Sequence, residues 1–300
     1  MGKKSNVALA IAAAAGAAWA STKALSKPDS RPSKEALKYE HPIILAHRGG
    51  LALAPEGSMA AFDNAAKLGV HGFESDLRLT KDEEIIVFHD ETLERTTDLT
   101  GKVADYTLSE LRDADIGYHF KDIKDGFSYR GKGERVVTLG ELIDAYPQML
   151  INMDIKDNPA TYEGSLMPSK LWRLIEEKQA FDRVVVTSFF DEQIDRFNLY
   201  AQNRVALGAG EKEVKKAYTA YTSQFRHLYH PKADIFQLPL RAKMVSLDSP
   251  GFIKFLSTLN IPVHYWTIND PEVMKKLIQN GAKGIITDRP DLAIDVLKLN

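Results

Sequence analysis

The chain has 300 residues, 44% of them apolar, enough to bury a full core as one large domain or two smaller ones. A formal charge of -2 excludes a global basic field for nucleic acid. The absence of cysteine excludes disulfides, thiolate catalysis and Cys-ligated zinc, and it suits an exported protein that avoids stray oxidation.

The first forty residues differ from the rest: Lys3 and Lys4, no charge from Ser5 to Thr22, then a polar Pro- and Lys-containing linker. The apolar centre, 7–20, is shorter than the ~20 residues of a spanning helix. Ala18-Trp19-Ala20 offers small residues at the spacing a signal peptidase reads. Residues 1–40 are therefore expected to be a signal peptide or N-terminal membrane anchor plus a linker. Such a protein is exported, either secreted or anchored at the outer face of the cell membrane.

From Pro42 onward, β-branched or apolar runs alternate with helical patterns. Strands are expected at 43–46, 72–79, 150–155, 184–188, 204–208, 234–238, 263–267 and 284–287. Helices are expected at 58–68, 139–146, 168–179, 191–199, 212–220, 250–259, 271–280 and 291–299. Ser58 and Asp270 read as N-caps, Pro271 as a first helical residue, and Gly69 and Gly281 as stops. The run 85–88 follows the second strand after only five residues, too few for a parallel crossover, so the two must form a hairpin. Eight strand–helix units in 41–300 suit an α/β (β/α)8 TIM barrel. A doubly wound sheet ranks second, because no glycine-rich loop follows the first strand.

In a barrel of this kind the chemistry sits at the C-terminal strand ends. The first strand ends in His47-Arg48 and breaks on Gly49-Gly50, glycines expected to let substrate approach the backbone. On the second, Glu74 and Asp76 share a face, where two inward carboxylates are costly without a cation between them. Asn152, Asp154 and Lys156 share a face of the next parallel strand, making Asp154 a third ligand and placing Lys156 for a phosphate oxygen. Oxygen-only ligation favours Mg²⁺ or Ca²⁺. The hairpin returns His89 to the rim near His47, a pair suited to removing and delivering protons near neutral pH. Arg48 adds a fork-shaped phosphate donor. The stretch 211–221 reads as a charged helix face.

The segments "AHRGGLALAPEGSMAAF", "FESDLRLTKDEEIIVFHDETLERTT" and "WTINDPEVMKKLIQNGAKGIITDRPD" resemble the signature segments of glycerophosphodiester phosphodiesterases. The resemblance covers roughly 43–298 and implies a barrel with a small insertion after the second strand, about 93–137. It makes His47 and His89 the acid/base pair, Glu74 and Asp76 metal ligands, and Arg48 and Lys156 phosphate binders. Trp266 becomes an apolar wall for the glycerol or alcohol group, and Glu56 supports the site from behind. Two departures stand out: Gly57-Ser58 replaces the family's N-T after P-E, and Asp154 replaces its usual glutamate, one methylene longer.

The implied reaction is metal-dependent hydrolysis of a glycerophosphodiester to glycerol 3-phosphate and an alcohol, with one divalent cation, Ca²⁺ or Mg²⁺. A lysophospholipase D-like activity on membrane lysolipids is the alternative. The apolar N-terminal segment favours it, as do Tyr118, Phe120, Phe189 and Phe190 at predicted loops. A catalytically silent surface binding protein is the reading from another class. It is disfavoured because His47, Glu74, Asp76 and His89 are all present.

Overall fold

A computed structural model describes residues 2–26, 29–223 and 225–298. The strands are β1 (Ile43–His47), β2 (Gly72–Leu79), β3 (Ile85–Val87), β4 (Leu150–Ile155), β5 (Val184–Thr187) and β6 (Ala206–Leu207). They continue with β7 (Phe236–Leu238), β8 (Arg241–Ala242), β9 (Val245–Ser246), β10 (Val263–Tyr265) and β11 (Gly284–Thr287). The main sheet runs β6-β5-β4-β2-β1-β11-β10-β7, all parallel, with β3 antiparallel on β2. It closes between its ends through a parallel bridge, Gly208 to Ile235, and through Ala209 N–H donating to Ile235 O at 3.0 Å. This is the (β/α)8 barrel that the strand count predicts. The hairpin expected at 85–88 is there too, as β2 and β3.

The helices are α1 (Gly2–Leu25), α2 (Met59–Leu68), α3 (Leu108–Leu111), α4 (Leu139–Ala145), α5 (Tyr162–Glu177), α6 (Asp191–Ala201) and α7 (Glu211–Thr222). The last are α8 (Pro250–Ser257), α9 (Pro271–Gln279) and α10 (Pro290–Lys298); position 299 of the predicted helix lies outside the described residues. Local chemistry explains several boundaries. Ser58 and Asp270 accept hydrogen bonds as N-caps, and Gly69 ends α2 in the left-handed region.

One helix starts earlier than Pro168, where the sequence places it. Thr161 caps α5 and Pro168 lies inside it. A proline there removes the N–H that would bond the Gly164 carbonyl, so the helix needs another donor at that point. The buried Gln193 amide supplies it at 2.9 Å, and also donates to Asp157 O at 2.7 Å. A tertiary contact therefore overrides the local stop signal.

Side chains alternate along each strand. On β1, Ile44 and Ala46 face the helices, while Ile43 and Leu45 join Ile286 inside the barrel. The loop after β3 folds over a cluster of its own, in which Leu93, Val103, Leu111, Ile116 and Val136 meet Ile86 and Phe88 of the hairpin.

At the N-terminal strand ends, residues before β1 close the barrel, a role that a reading as linker does not foresee. Ala36 packs on Val185, Ala206 and Ile235. Tyr39 Oη meets His264 Nε2 at 2.6 Å, and Arg31 pairs with the buried Asp234 at 2.7 Å. Helix α1 lies against the 226–228 turn, with Thr22 Oγ1 3.1 Å from His227 Nε2. Among the described residues no helix is long and apolar enough to cross a membrane.

Gly49 and Gly50 serve packing, not the substrate approach expected of them. Both have positive φ, 86° and 91°. A Cβ on Gly49 would sit 2.8 Å from Ala61 Cβ on α2, and one on Gly50 2.9 Å from Pro290 Cγ on α10. The turn that presents Arg48 (φ 50°) is thus wedged between two helices.

Candidate active site

The C-terminal strand ends surround a cavity of about 510 Å³. Eight of the nine residues singled out in the sequence line it: His47, Arg48, Glu74, Asp76, His89, Asp154, Lys156 and Trp266. Glu56 lies behind Arg48, accepting from its Nη1 at 2.9 Å.

Parallel pairing of β1, β2 and β4 sets the ionic half. Register places Glu74 beside His47, and Asp76 beside Asp154. Glu74, Asp76 and Asp154 are buried, and one carboxylate oxygen from each lies within 4.8 Å of the other two. Lys156 reaches back along its own strand to Asp154, and across to Asp76 Oδ1 at 2.9 Å. Thr187 Oγ1 donates to Asp154 Oδ1 at 3.2 Å. Beneath the cluster Asn152 and Gln237 exchange two amide hydrogen bonds, at 3.1 and 2.8 Å, closing that layer.

Burial, with Asp76 alongside, pushes the Glu74 carboxyl up to about 7. Burial also raises Asp154, whereas at Asp76 the charges of Lys156 and Arg48 overcome it and hold the carboxyl low. Asp76 Oδ2 lies 2.9 Å from Arg48 Nε, yet neither buried atom has a hydrogen-bond partner. A carboxylate oxygen with an ion pair but no hydrogen bond, beside two more buried carboxylates, belongs to a donor set for a hard divalent cation. The residues present fit such an ion. Asp154, despite its shorter side chain, brings an oxygen within range.

The two histidines are built alike. His47 Nδ1 is 2.6 Å from Asp288 Oδ1, and Asn269 Nδ2 donates to the other oxygen at 2.8 Å. His89 Nδ1 is 2.5 Å from Asp90 Oδ1. A carboxylate on Nδ1 fixes the tautomer and leaves Nε2 to exchange a proton with a ligand. His47 Nε2 lies 3.7 Å from Glu74 Oε2. Burial works against a charged His47, but the Asp288 hydrogen bond and the Glu74 charge outweigh it and raise its pKa. At His89 burial wins and its pKa falls. Arg78 donates twice to the His89 carbonyl, at 3.1 and 3.0 Å, and pairs with Asp157, anchoring the returning hairpin.

The opposite half is apolar. Trp266 packs on Ile43, Leu45 and Ile286 below and meets the Phe189 ring edge-on at 5.7 Å above, so it serves core and cavity together. Val214, Leu238, Pro239 and Leu247 complete that side. Of the four loop aromatics, Phe189 alone lines the cavity. Tyr118 stacks under Arg130, Phe120 packs on Tyr129, and Phe190 is exposed. Helix α7 is the expected charged surface except for Glu213, which is buried and accepts from Tyr229 Oη at 2.7 Å.

Comparison with known proteins decides the family. The family model described as "Glycerophosphoryl diester phosphodiesterase family" matches residues 47–292. The chain belongs to the glycerophosphoryl diester phosphodiesterase family. It is 31% identical to a glycerophosphodiester phosphodiesterase of Caldanaerobacter subterraneus subsp. tengcongensis, over 85% of this chain and 98% of that one. It is 33% identical to the probable glycerophosphodiester phosphodiesterase 2 of Mycobacterium tuberculosis, over 89% of this chain and 94% of that one. Its fold matches an Oleispira antarctica phosphodiesterase solved with the product sn-glycerol-3-phosphate. That match has a TM-score of 0.70 at 22% identity and covers 86% and 97% of the two chains.

Asp90, Arg95, Asn269 and Asp288 are the site residues that sequence reasoning missed. All four lie within the quoted segments, Asp90 and Arg95 in the second and Asn269 and Asp288 in the third. For Asp90 and Asp288, a carboxylate three or fewer residues from a strand end was the available signal.

Proposed function

We propose that this phosphodiesterase hydrolyses glycerophosphodiesters to sn-glycerol 3-phosphate and an alcohol, using His47 and His89 as proton carriers. One observation carries this reading: two histidines, each with Nδ1 on a carboxylate, share the cavity with a buried three-carboxylate cluster.

A cation held by Glu74, Asp76 and Asp154, Mg²⁺ or Ca²⁺ by donor type, would supply Lewis acidity toward a phosphoryl oxygen and a substrate hydroxyl. Arg48, fixed by Glu56, and Lys156, fixed by Asp154 and Asp76, offset charge on the phosphoryl oxygens. One histidine Nε2 takes the proton of the attacking glycerol hydroxyl while the other protonates the departing alcohol. The P–O bond to the alcohol breaks as the new one closes a cyclic phosphate. Water then opens the ring with the roles reversed. Trp266 and its apolar neighbours exclude water from the alcohol side.

The apolar half of the cavity, with Phe189 52% exposed at the rim, favours a second reading in which the glycerol carries an acyl chain, as in a lysolipid, and the headgroup alcohol leaves. The test is glycerol 3-phosphate release from glycerophosphocholine, glycerophosphoethanolamine and glycerophosphoglycerol, set against choline release from lysophosphatidylcholine. Release from the soluble diesters is the expected result. Turnover of the lysolipid alone would shift the reading to a lysophospholipase D. Failure on both would overturn it. The N-terminal segment is proposed to direct export or hold the enzyme at the outer membrane face, which N-terminal sequencing and fractionation would test.

A further inference from the structure

The loop after β3 sends one guanidinium into the back of the site. Arg95 Nη1 and Nη2 bind both oxygens of Glu56, at 2.7 and 2.8 Å, and its Nε pairs with Asp90 Oδ2. Those two carboxylates have separate tasks. Asp90 Oδ1 holds His89 Nδ1, and Glu56 Oε1 holds Arg48 Nη1. Arg95 touches neither the cavity nor its ligands, yet it fixes the partner of a proton carrier and the partner of a phosphate clamp.

Its backbone is fixed in turn. Leu93 is buried in the insertion's own cluster, and Thr97 donates to the Leu93 carbonyl from both N–H, at 3.0 Å, and Oγ1, at 2.9 Å. A planar fork with five donors can satisfy two carboxylates at once, which an ammonium cannot do in one geometry. His47 has its own arrangement: Asn269 holds Asp288.

We propose that Arg95 is a positioning residue for the phosphodiesterase reaction, setting His89 through Asp90 and Arg48 through Glu56. The insertion then belongs to the machinery, not to the surface. The inference rests on the proposed roles of His89 and Arg48.

The test is a kcat against KM split on glycerophosphocholine. Asp90→Asn acts through His89 and lowers kcat; Glu56→Gln acts through Arg48 and chiefly raises KM. Arg95→Ala is expected to do both, lowering kcat/KM by roughly 10–100-fold, the usual range for groups that orient catalytic residues. Because the Arg95 side chain is 49% exposed, free guanidinium can enter the vacated position and restore part of the activity. A merely structural arginine would not show that rescue. Arg95→Lys should stay impaired. Wild-type kinetics in Arg95→Ala, or a loss that guanidinium does not restore, would overturn the inference. His89→Ala, assayed alongside, separates the failures. If it keeps full turnover, the proposed mechanism falls. If it is inactive while Arg95→Ala is unaffected, only the positioning role falls.

Discussion

At the floor of the barrel Tyr39 and His264 share a 2.6 Å hydrogen bond, and Arg31 closes on Asp234 at 2.7 Å. At the mouth three carboxylates each bring an oxygen within 4.8 Å of the others, and Asp76 Oδ2 has an ion pair to Arg48 Nε at 2.9 Å but no hydrogen bond. The same strands supply both ends, since β10 carries His264 inside the floor and leads directly into Trp266 at the cavity. The floor spends its polar groups in pairs, leaving one neutral ring nitrogen of His264 unpartnered. The mouth crowds three buried carboxylates around two cations, Lys156 and Arg48, more acid than those cations offset. Where a barrel accepts such crowding, the reason lies in what it binds.

The largest effects should come from the mouth. His47→Ala and His89→Ala are each expected to lower glycerol 3-phosphate release by about 10²–10⁴-fold, the range for a general acid or base, with little change in melting temperature. A variant that keeps full turnover would remove the functional half of the contrast.

The next effect belongs to the floor. Burial lowers the His264 pKa from 6.5 to about 3. The unfolded chain therefore binds a proton below 6.5 that the folded protein refuses. His264 contributes its full stability above pH 6.5, and that contribution is lost as the pH falls toward 3. The total is on the order of 5 kcal/mol. Chemical denaturation of wild type and His264→Phe between pH 7 and 4 measures it. The variant should lose less stability on acidification. Equal slopes would mean that the ring is hydrated or already charged.

Tyr39→Phe is the smallest. It leaves His264 Nε2 without its partner and should cost about 1–2 kcal/mol at pH 7. Its activity per folded molecule should stay at wild type, because the floor lies at the other end of the strands. A drop in kcat would couple the two ends and blur the comparison.

The mouth was largely legible in the sequence and the floor was not, for a physical reason. Strand alternation puts Glu74 and Asp76, or Asp154 and Lys156, on one face, and a two-residue period is visible without coordinates. Three strands, Gly72–Leu79, Leu150–Ile155 and Gly284–Thr287, agree residue for residue with expectation, because apolar runs between turn signals mark them. The others shrink. Arg204 falls outside β6, and the hairpin of β8 and β9 goes unforeseen, since two-residue strands have too little pattern to detect. Contacts such as His47 to Asp288, 241 residues apart, or Tyr39 to His264, 225 apart, leave no periodic trace. Arg95 belongs to the same class: its value lies in joining Glu56 to Asp90, and no spacing encodes that.

The central claim is that the carboxylates at the mouth are assembled for a divalent cation that the reaction requires. The most direct measurement is glycerol 3-phosphate release from glycerophosphocholine by enzyme stripped of metal with a chelator, then titrated with Mg²⁺ or Ca²⁺, beside Asp76→Asn treated identically. The account predicts no release from stripped enzyme, recovery with added cation, and a much higher cation requirement or none met by the variant. Full release from the stripped enzyme would contradict it.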